Sequence, residues 1–158
     1  MVLILTNHAY SKNSCEFGYL MLSLSSRNRD MTSTSKTVLI IEDEEDAAEL
    51  FAEMMRVSGY RVLKTSNSAP ALAMMTTEKP DLIILDIMMP EISGLDILRQ
   101  MRRDPELANI PVVVVSAKSM PADIKNGMEA GASTYLTKPV GFFDLKEAVE
   151  RALGSRTG

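Results

Sequence analysis

The residues of this chain able to do chemistry stand at the ends of apolar runs. LIIL at 82–85 leads into Asp86, VLII at 38–41 into Glu42 and Asp43, VVVV at 112–115 into Ser116, and YLT at 135–137 into Lys138. Each alone has an ordinary explanation: Asp86 as a turn former, Glu42 and Asp43 as helix-start acids, Ser116 as a cap, Lys138 as a solvated charge. Converging on one rim, they point to a shared task. Two carboxylates about 4 Å apart repel by roughly 4 kcal/mol at an effective dielectric near about 20, and a third multiplies that repulsion. Such a cluster needs a proton or a cation. Oxygen ligands without His or Cys select a hard cation, and magnesium is the one expected. One carboxylate can then act as a nucleophile toward phosphorus while the metal and Lys138 balance charge on the transferring oxygens.

The elements that must position these residues are legible from periodicity. VLII is a short branched run, suited to a strand buried on both faces. In DAAELFAEMMRVSGY, Ala47, Leu50, Met54 and Val57 fall at helical spacing, and Gly59 can end the helix in a left-handed conformation. RVLKT at 61–65 alternates like an edge strand, and a helix follows from about Ser68 to Glu78 with Pro70 in its first turn. DLIILD is again continuous. Ser93 and Asp96 then form a capping-box-like pair before a helix bearing Leu95, Leu98 and Met101. IPVVVV at 110–115 reads as a buried parallel strand, a short helix through Ile124 and Met128 ends near Gly131, STYL at 133–136 is a fifth strand, and FFDLKEAVERAL is the last helix. Strict alternation with short connections predicts an α/β fold, a doubly wound (βα)5 domain around a parallel five-stranded sheet. In such a sheet the ligand site lies beyond the carboxyl ends of the strands. The many methionines are expected as core filler.

Composition sets further limits. With 158 residues, 46% hydrophobic and 24% charged, one domain with a proper core is expected. The net charge is −4; the first thirty residues contribute +1, which leaves −5 for residues 31–158. Nucleic acid is therefore not expected as a direct partner, because backbone phosphates need clustered Lys and Arg. The single cysteine, Cys15, and the single histidine, His8, both precede Met31. The domain proper is thus denied a Cys or His metal site, a disulfide, a Ser-His-Asp triad and an imidazole base. Residues 1–30 carry no sustained period, and FGYLMLSL at 17–24 is too short to span a bilayer and makes a weak signal peptide. Residues 1–35 are expected to be a poorly ordered extension with no part in the chemistry, with Met31 as an alternative start. Residues 36–154 would form the domain and 155–158 a short tail.

The acidic pair in VLIIEDEED, LIILDIMMPEISG, VVVVSAKS and STYLTKP, in this order and each at a strand end, resemble a response-regulator receiver domain, similar to the stand-alone regulators of bacterial two-component signalling and chemotaxis. The resemblance covers about residues 36–154. It implies a flavodoxin-like strand order 2-1-3-4-5 and a phosphorylation-activated switch, a signalling module that catalyses only its own phosphorylation and dephosphorylation. Asp86 would be the phosphoacceptor. Asp43 would bind Mg²⁺ directly, Glu42 through water, and Met88 through its backbone carbonyl. Ser116 would hydrogen-bond the phosphoryl group, Lys138 would pair with it from a cis Lys138–Pro139 bond, and Tyr135 would be the switch aromatic. The protein would be cytoplasmic, and the phosphoryl group would come from a histidine kinase or histidine phosphotransfer protein. A downstream protein would read the face made by the fourth helix, fifth strand and fifth helix, where a phosphorylation-dependent dimer could also form. With the chain ending at Gly158, output is expected through a protein partner and not through an attached domain.

Two positions depart from the family pattern. Glu42 replaces an aspartate often found first in the pair, and Met88 cannot orient an attacking water. Lys118, two residues after Ser116, adds a cation nearby. Other readings remain at this stage. A receiver-like module could bind partners without phosphorylation. A magnesium-dependent aspartyl phosphohydrolase of the haloacid dehalogenase type would need an aspartate where Met88 stands. A nucleotide binder of the same fold is disfavoured by EDEED after the first strand and by the absence of G-x-G-x-x-G and G-x-x-x-x-G-K-[ST].

Overall fold

The computed structural model describes residues 35–90 and 93–154. The expected N-terminal extension, with its alternative start at Met31, and the expected tail at 155–158 lie outside the described residues, Ser35 apart. Among the described residues, strands and helices alternate strictly: β1 (Thr37–Ile41), α1 (Glu45–Val57), β2 (Arg61–Thr65), α2 (Ser68–Glu78), β3 (Leu82–Asp86), α3 (Gly94–Arg103), β4 (Val112–Ser116), α4 (Pro121–Glu129), β5 (Thr134–Thr137) and α5 (Phe142–Gly154). The sheet order is β2-β1-β3-β4-β5, with every neighbouring pair parallel. No helix among the described residues is long and apolar enough to cross a membrane.

The three central strands are buried along their whole length, while the edge strands β2 and β5 are half-exposed. This difference is why the central strands read as unbroken apolar runs and the edges do not. Alternate residues feed two cores. Leu39, Ile41, Ile83, Leu85, Val112 and Val114 pack against Met75 of α2 and Leu98 and Met101 of α3. Val38, Ile40, Leu82, Ile84, Val113 and Val115 pack against Phe51 and Met55 of α1 and Leu145 and Val149 of α5.

The helix faces hold one correction. On α1 the buried residues are Ala48, Phe51, Ala52 and Met55, whereas Leu50 and Val57 are 53% and 69% exposed. The expected stripe of Ala47, Leu50, Met54 and Val57 sits about 100° around the helix from the true one, as expected for a one-residue offset. Both stripes have helical spacing. The small Ala48 and Ala52 admit the helix close to the sheet, and Phe51 fills the remaining space. Ser93 caps α3 as its sequence suggests, its Oγ accepting from Leu95 N at 3.3 Å, but the Asp96 carboxylate pairs with Arg99 and does not complete the box. Arg102, at the last turn of α3, donates to the carbonyls of Ala108, Ile110 and Gly131 at 2.8–3.1 Å, tying the α3–β4 and α4–β5 connections together.

Gly94, the first residue of α3, is buried against the end of β3. A Cβ there would stand 2.3 Å from the Asp86 carbonyl oxygen and 2.7 Å from Ile87 Cα. Both are backbone atoms, so no side chain can move aside. Gly94→Ala is expected to lower stability by about 3 kcal/mol or more, measured by denaturant titration, because the added methyl displaces the strand end itself.

Candidate functional site

Parallel register brings the strand ends to one rim. Ile41 aligns with Leu85, Asp86 with Val115, and Ser116 with Thr137, so the residues that follow β1, end β3 and β4, and follow β5 emerge side by side. Glu42 and Asp86 are 2% and 5% exposed, Ser116 is fully buried, and Asp43 is exposed. One carboxylate oxygen from each of Glu42, Asp43 and Asp86 lies within 4.8 Å of the others.

Lys138 answers this charge directly. Its Nζ stands 2.7 Å from Asp86 Oδ2 and 2.8 Å from Glu42 Oε2, bridging β1 to β3 from the loop after β5. The Lys138 backbone N–H donates to the Ser116 carbonyl at 2.8 Å, and the Lys138–Pro139 peptide is cis. Each carboxylate is also held by a backbone donor two residues on: Glu44 N to Glu42 Oε1 at 3.2 Å, and Met88 N to Asp86 Oδ1 at 2.8 Å. Burial pushes the Glu42 carboxyl above its ordinary range, against the pull of the Lys138 hydrogen bond and with the Asp86 charge adding to the rise. Burial works against the Lys138 ammonium too, yet the hydrogen bonds it donates to Asp86 and Glu42 hold its pKa above the usual lysine value.

Such a set of oxygens, with net negative charge remaining after Lys138 is counted, fits a hard divalent cation. Glu42, Asp43 and Asp86 could hold it. The contact found for Met88 is its N–H on Asp86, and the residue is 48% exposed.

The remaining residues singled out from sequence form a second, connected set. Ser116 Oγ accepts from Lys118 N at 3.2 Å, and the Tyr135 hydroxyl donates to Lys118 O at 2.9 Å. Lys118 therefore enters through its backbone, while its sequence position had drawn notice for its charge. The Tyr135 ring is half-buried and burial pushes its hydroxyl above the ordinary range. A Cβ on Gly127 of α4 would stand 2.6 Å from Tyr135 Cδ2, so the ring lies in the space that glycine leaves. Sequence reasoning missed Phe51, whose ring centroid is 5.9 Å from Lys138 Nζ. Its signal was hidden by the one-residue offset in the α1 face.

The profile of the response-regulator receiver domain matches residues 38–150. The polar-differentiation response regulator DivK of Brucella anthropi is 36% identical over 119 residues, covering 75% of this chain and 97% of its own. The signal receiver domain of a signal transduction histidine kinase from Syntrophus aciditrophicus superposes with a TM-score of 0.72 at 32% identity, covering 78% of this chain and 93% of that one. The chemotaxis protein CheY4 of Vibrio cholerae shares the fold, with a TM-score of 0.71 at 23% identity over 75% of this chain and 98% of that one.

Lys138→Met leaves the three carboxylates without their ammonium. It is expected to cost about 3 kcal/mol in metal-free buffer at neutral pH, the order found when one member of a buried ion cluster is removed. Millimolar magnesium should recover more of that loss in the variant than it adds to the wild type, as read from thermal unfolding with and without the metal.

Proposed function

From the premise that the chain belongs to the response-regulator receiver family, whose members are signalling modules and not metabolic enzymes, we propose that it is a phosphorylation-activated switch with Asp86 as its phosphoacceptor. The observation that carries this reading is the placement of Asp86: a buried carboxylate at the end of β3, 2.7 Å from Lys138 Nζ and within 4.8 Å of two further carboxylates. A carboxylate nucleophile needs charge compensation beside it, and Lys138 supplies that at the rim.

In the proposed reaction a carboxylate oxygen of Asp86 attacks the phosphorus of a phosphohistidine on a partner kinase or phosphotransfer protein. The new O–P bond forms as the P–N bond breaks, and the imidazole nitrogen leaves with the electron pair. Magnesium, held by Glu42, Asp43, Asp86 and the Met88 carbonyl, would supply positive charge against the phosphoryl oxygens. Lys138 shifts its hydrogen bond from the Asp86 carboxylate to a phosphoryl oxygen. Met88 N–H keeps the carboxylate in one orientation throughout.

The acyl phosphate brings about −1.5 to −2 charge and three strong acceptors to a site beside Ser116. The Ser116 hydroxyl turns to donate to one of them, and the contacts Ser116–Lys118–Tyr135–Gly127 carry that displacement to α4. A protein partner would then read the face of α4, β5 and α5, and a phosphorylation-dependent dimer through the same face fits this arrangement. The same reading places the protein in the cytoplasm, where phosphohistidine donors of this family act. The domain proper would span residues 36–154, with residues 1–35 as an extension outside the switch.

The deciding experiment is exposure of the protein to acetyl phosphate with and without Mg²⁺, followed by intact mass. One magnesium-dependent phosphoryl adduct is expected, absent in Asp86→Asn. No adduct in the presence of bound metal would instead assign the fold a binding role independent of phosphorylation. The exposed Met88 side chain offers no polar group to an attacking water. The phosphorylated wild type should therefore outlast phosphorylated Met88→Asn, whose hydrolysis after removal of the donor is expected to be several-fold faster; equal or slower decay in the variant would overturn this.

A further inference from the structure

The buried core of the described residues is built from aliphatic, alanine and methionine side chains with a single aromatic, Phe51, which is 3% exposed. That one ring lies on α1, eight residues after Asp43, and Lys138 Nζ stands over it at 5.9 Å from the centroid. An ammonium has three N–H groups, and here two carboxylates take hydrogen bonds at 2.7 and 2.8 Å while the ring faces the same nitrogen as a third, uncharged partner. A leucine would fill much of the same volume without presenting a negative face.

Both of the charged partners are contested during the proposed reaction. Glu42 and Asp86 belong to the acidic cluster that would hold the metal, and Asp86 gives up its carboxylate on becoming an acyl phosphate. The phenyl face neither titrates, nor ligates a metal, nor changes with phosphorylation. We infer that Phe51 is a positioning residue for Lys138, its ring face keeping the ammonium at the rim while metal and phosphoryl group compete for the carboxylates. This rests on the reading of Asp86 as phosphoacceptor.

The test keeps the shape of the ring and removes its negative face in steps. Mono-, di- and trifluorophenylalanine are placed at position 51 of the full chain by stop-codon suppression, with Phe51→Leu alongside. In the metal-free protein the water-exchange rate of the Lys138 ammonium protons, identified by their loss in Lys138→Met, is followed by nitrogen-15 NMR and should rise with each fluorine. With acetyl phosphate and Mg²⁺, the phosphorylation rate constant should fall roughly two- to tenfold across the series, at unchanged unfolding temperature. A rate that stays flat across the fluorinated series in a chain that takes up the phosphoryl group overturns the inference and leaves the ring as core filler, even if Phe51→Leu is slow through loss of packing. If the wild type takes up no phosphoryl group, the reading of Asp86 fails separately, and the ammonium exchange decides alone: a graded rise sustains the hold of the ring on Lys138, and a flat series ends it.

Discussion

Three carboxylates brought together at the ends of two buried strands repel one another, and the architecture of this rim follows from keeping them there. At separations near 4 Å each pair costs on the order of 4 kcal/mol at a surface-like dielectric. Lys138 offsets two of those interactions at once by bridging Glu42 and Asp86. Three carboxylates against one ammonium still leave a formal charge of −2 on the cluster, with Asp43 outside the bridge. The pKa of Glu42 is raised chiefly by burial, and the Asp86 charge adds to the rise. A site poised in this way has a demand for positive charge that a divalent cation could meet.

Why the carboxylates meet at all is a matter of sheet topology. In a parallel sheet all strands end on the same side, so the first polar residue after each apolar run arrives at a common edge. Order β2-β1-β3-β4-β5 puts β1, β3 and β4 side by side at the centre, and these three carry Glu42 and Asp43, Asp86, and Ser116. The strand that contributes none of the rim residues singled out from sequence, β2, is an edge; its last carbonyl, at Thr65, accepts from Glu42 N at 3.2 Å and so steadies the acidic pair from outside. Gly94 secures the other flank, since only a residue without a Cβ lets α3 begin against the Asp86 backbone.

Much of this was legible in the sequence because burial on both faces leaves no room for polar residues within a strand, so the interruption of VLII, LIIL and VVVV marks both the strand end and the site. Helix orientation was less legible. On α1 two stripes of apolar residues, one residue out of phase, satisfy the same periodicity, and only packing against the sheet chooses the stripe with Ala48 and Phe51. Contacts made by backbone groups leave no trace in residue type. Lys118 accepts from Tyr135 and donates to Ser116 through its peptide groups, a role that its side chain does nothing to announce. Arg102 likewise reads as an ordinary basic residue at a helix C-terminus, and its clamp on three carbonyls depends on loops that meet only in the fold.

In the proposed switch, coupling between the rim and α4 would rest on exclusion of volume more than on hydrogen bonding. The Ser116–Lys118 contact, at 3.2 Å to a neutral donor, is long, and a phosphoryl oxygen offers the Ser116 hydroxyl a charge-assisted acceptor of roughly twice the strength. A hydroxyl drawn toward that acceptor would pull on the Lys118 contact and so on the β4–α4 loop, but a shifted loop alters α4 only if something rigid lies between them. The Tyr135 ring is that element: held at its hydroxyl by Lys118, it occupies the space left by Gly127, where a methyl group would stand 2.6 Å from Cδ2. Glycine inside a helix costs about 1 kcal/mol relative to alanine. The seat for the ring gives that glycine a physical purpose, because ring and helix cannot move independently while the ring is in place. On the proposed reading, release of Lys118 would free the ring and with it the position of α4, and a charge added at Asp86 would reach a surface that it never touches.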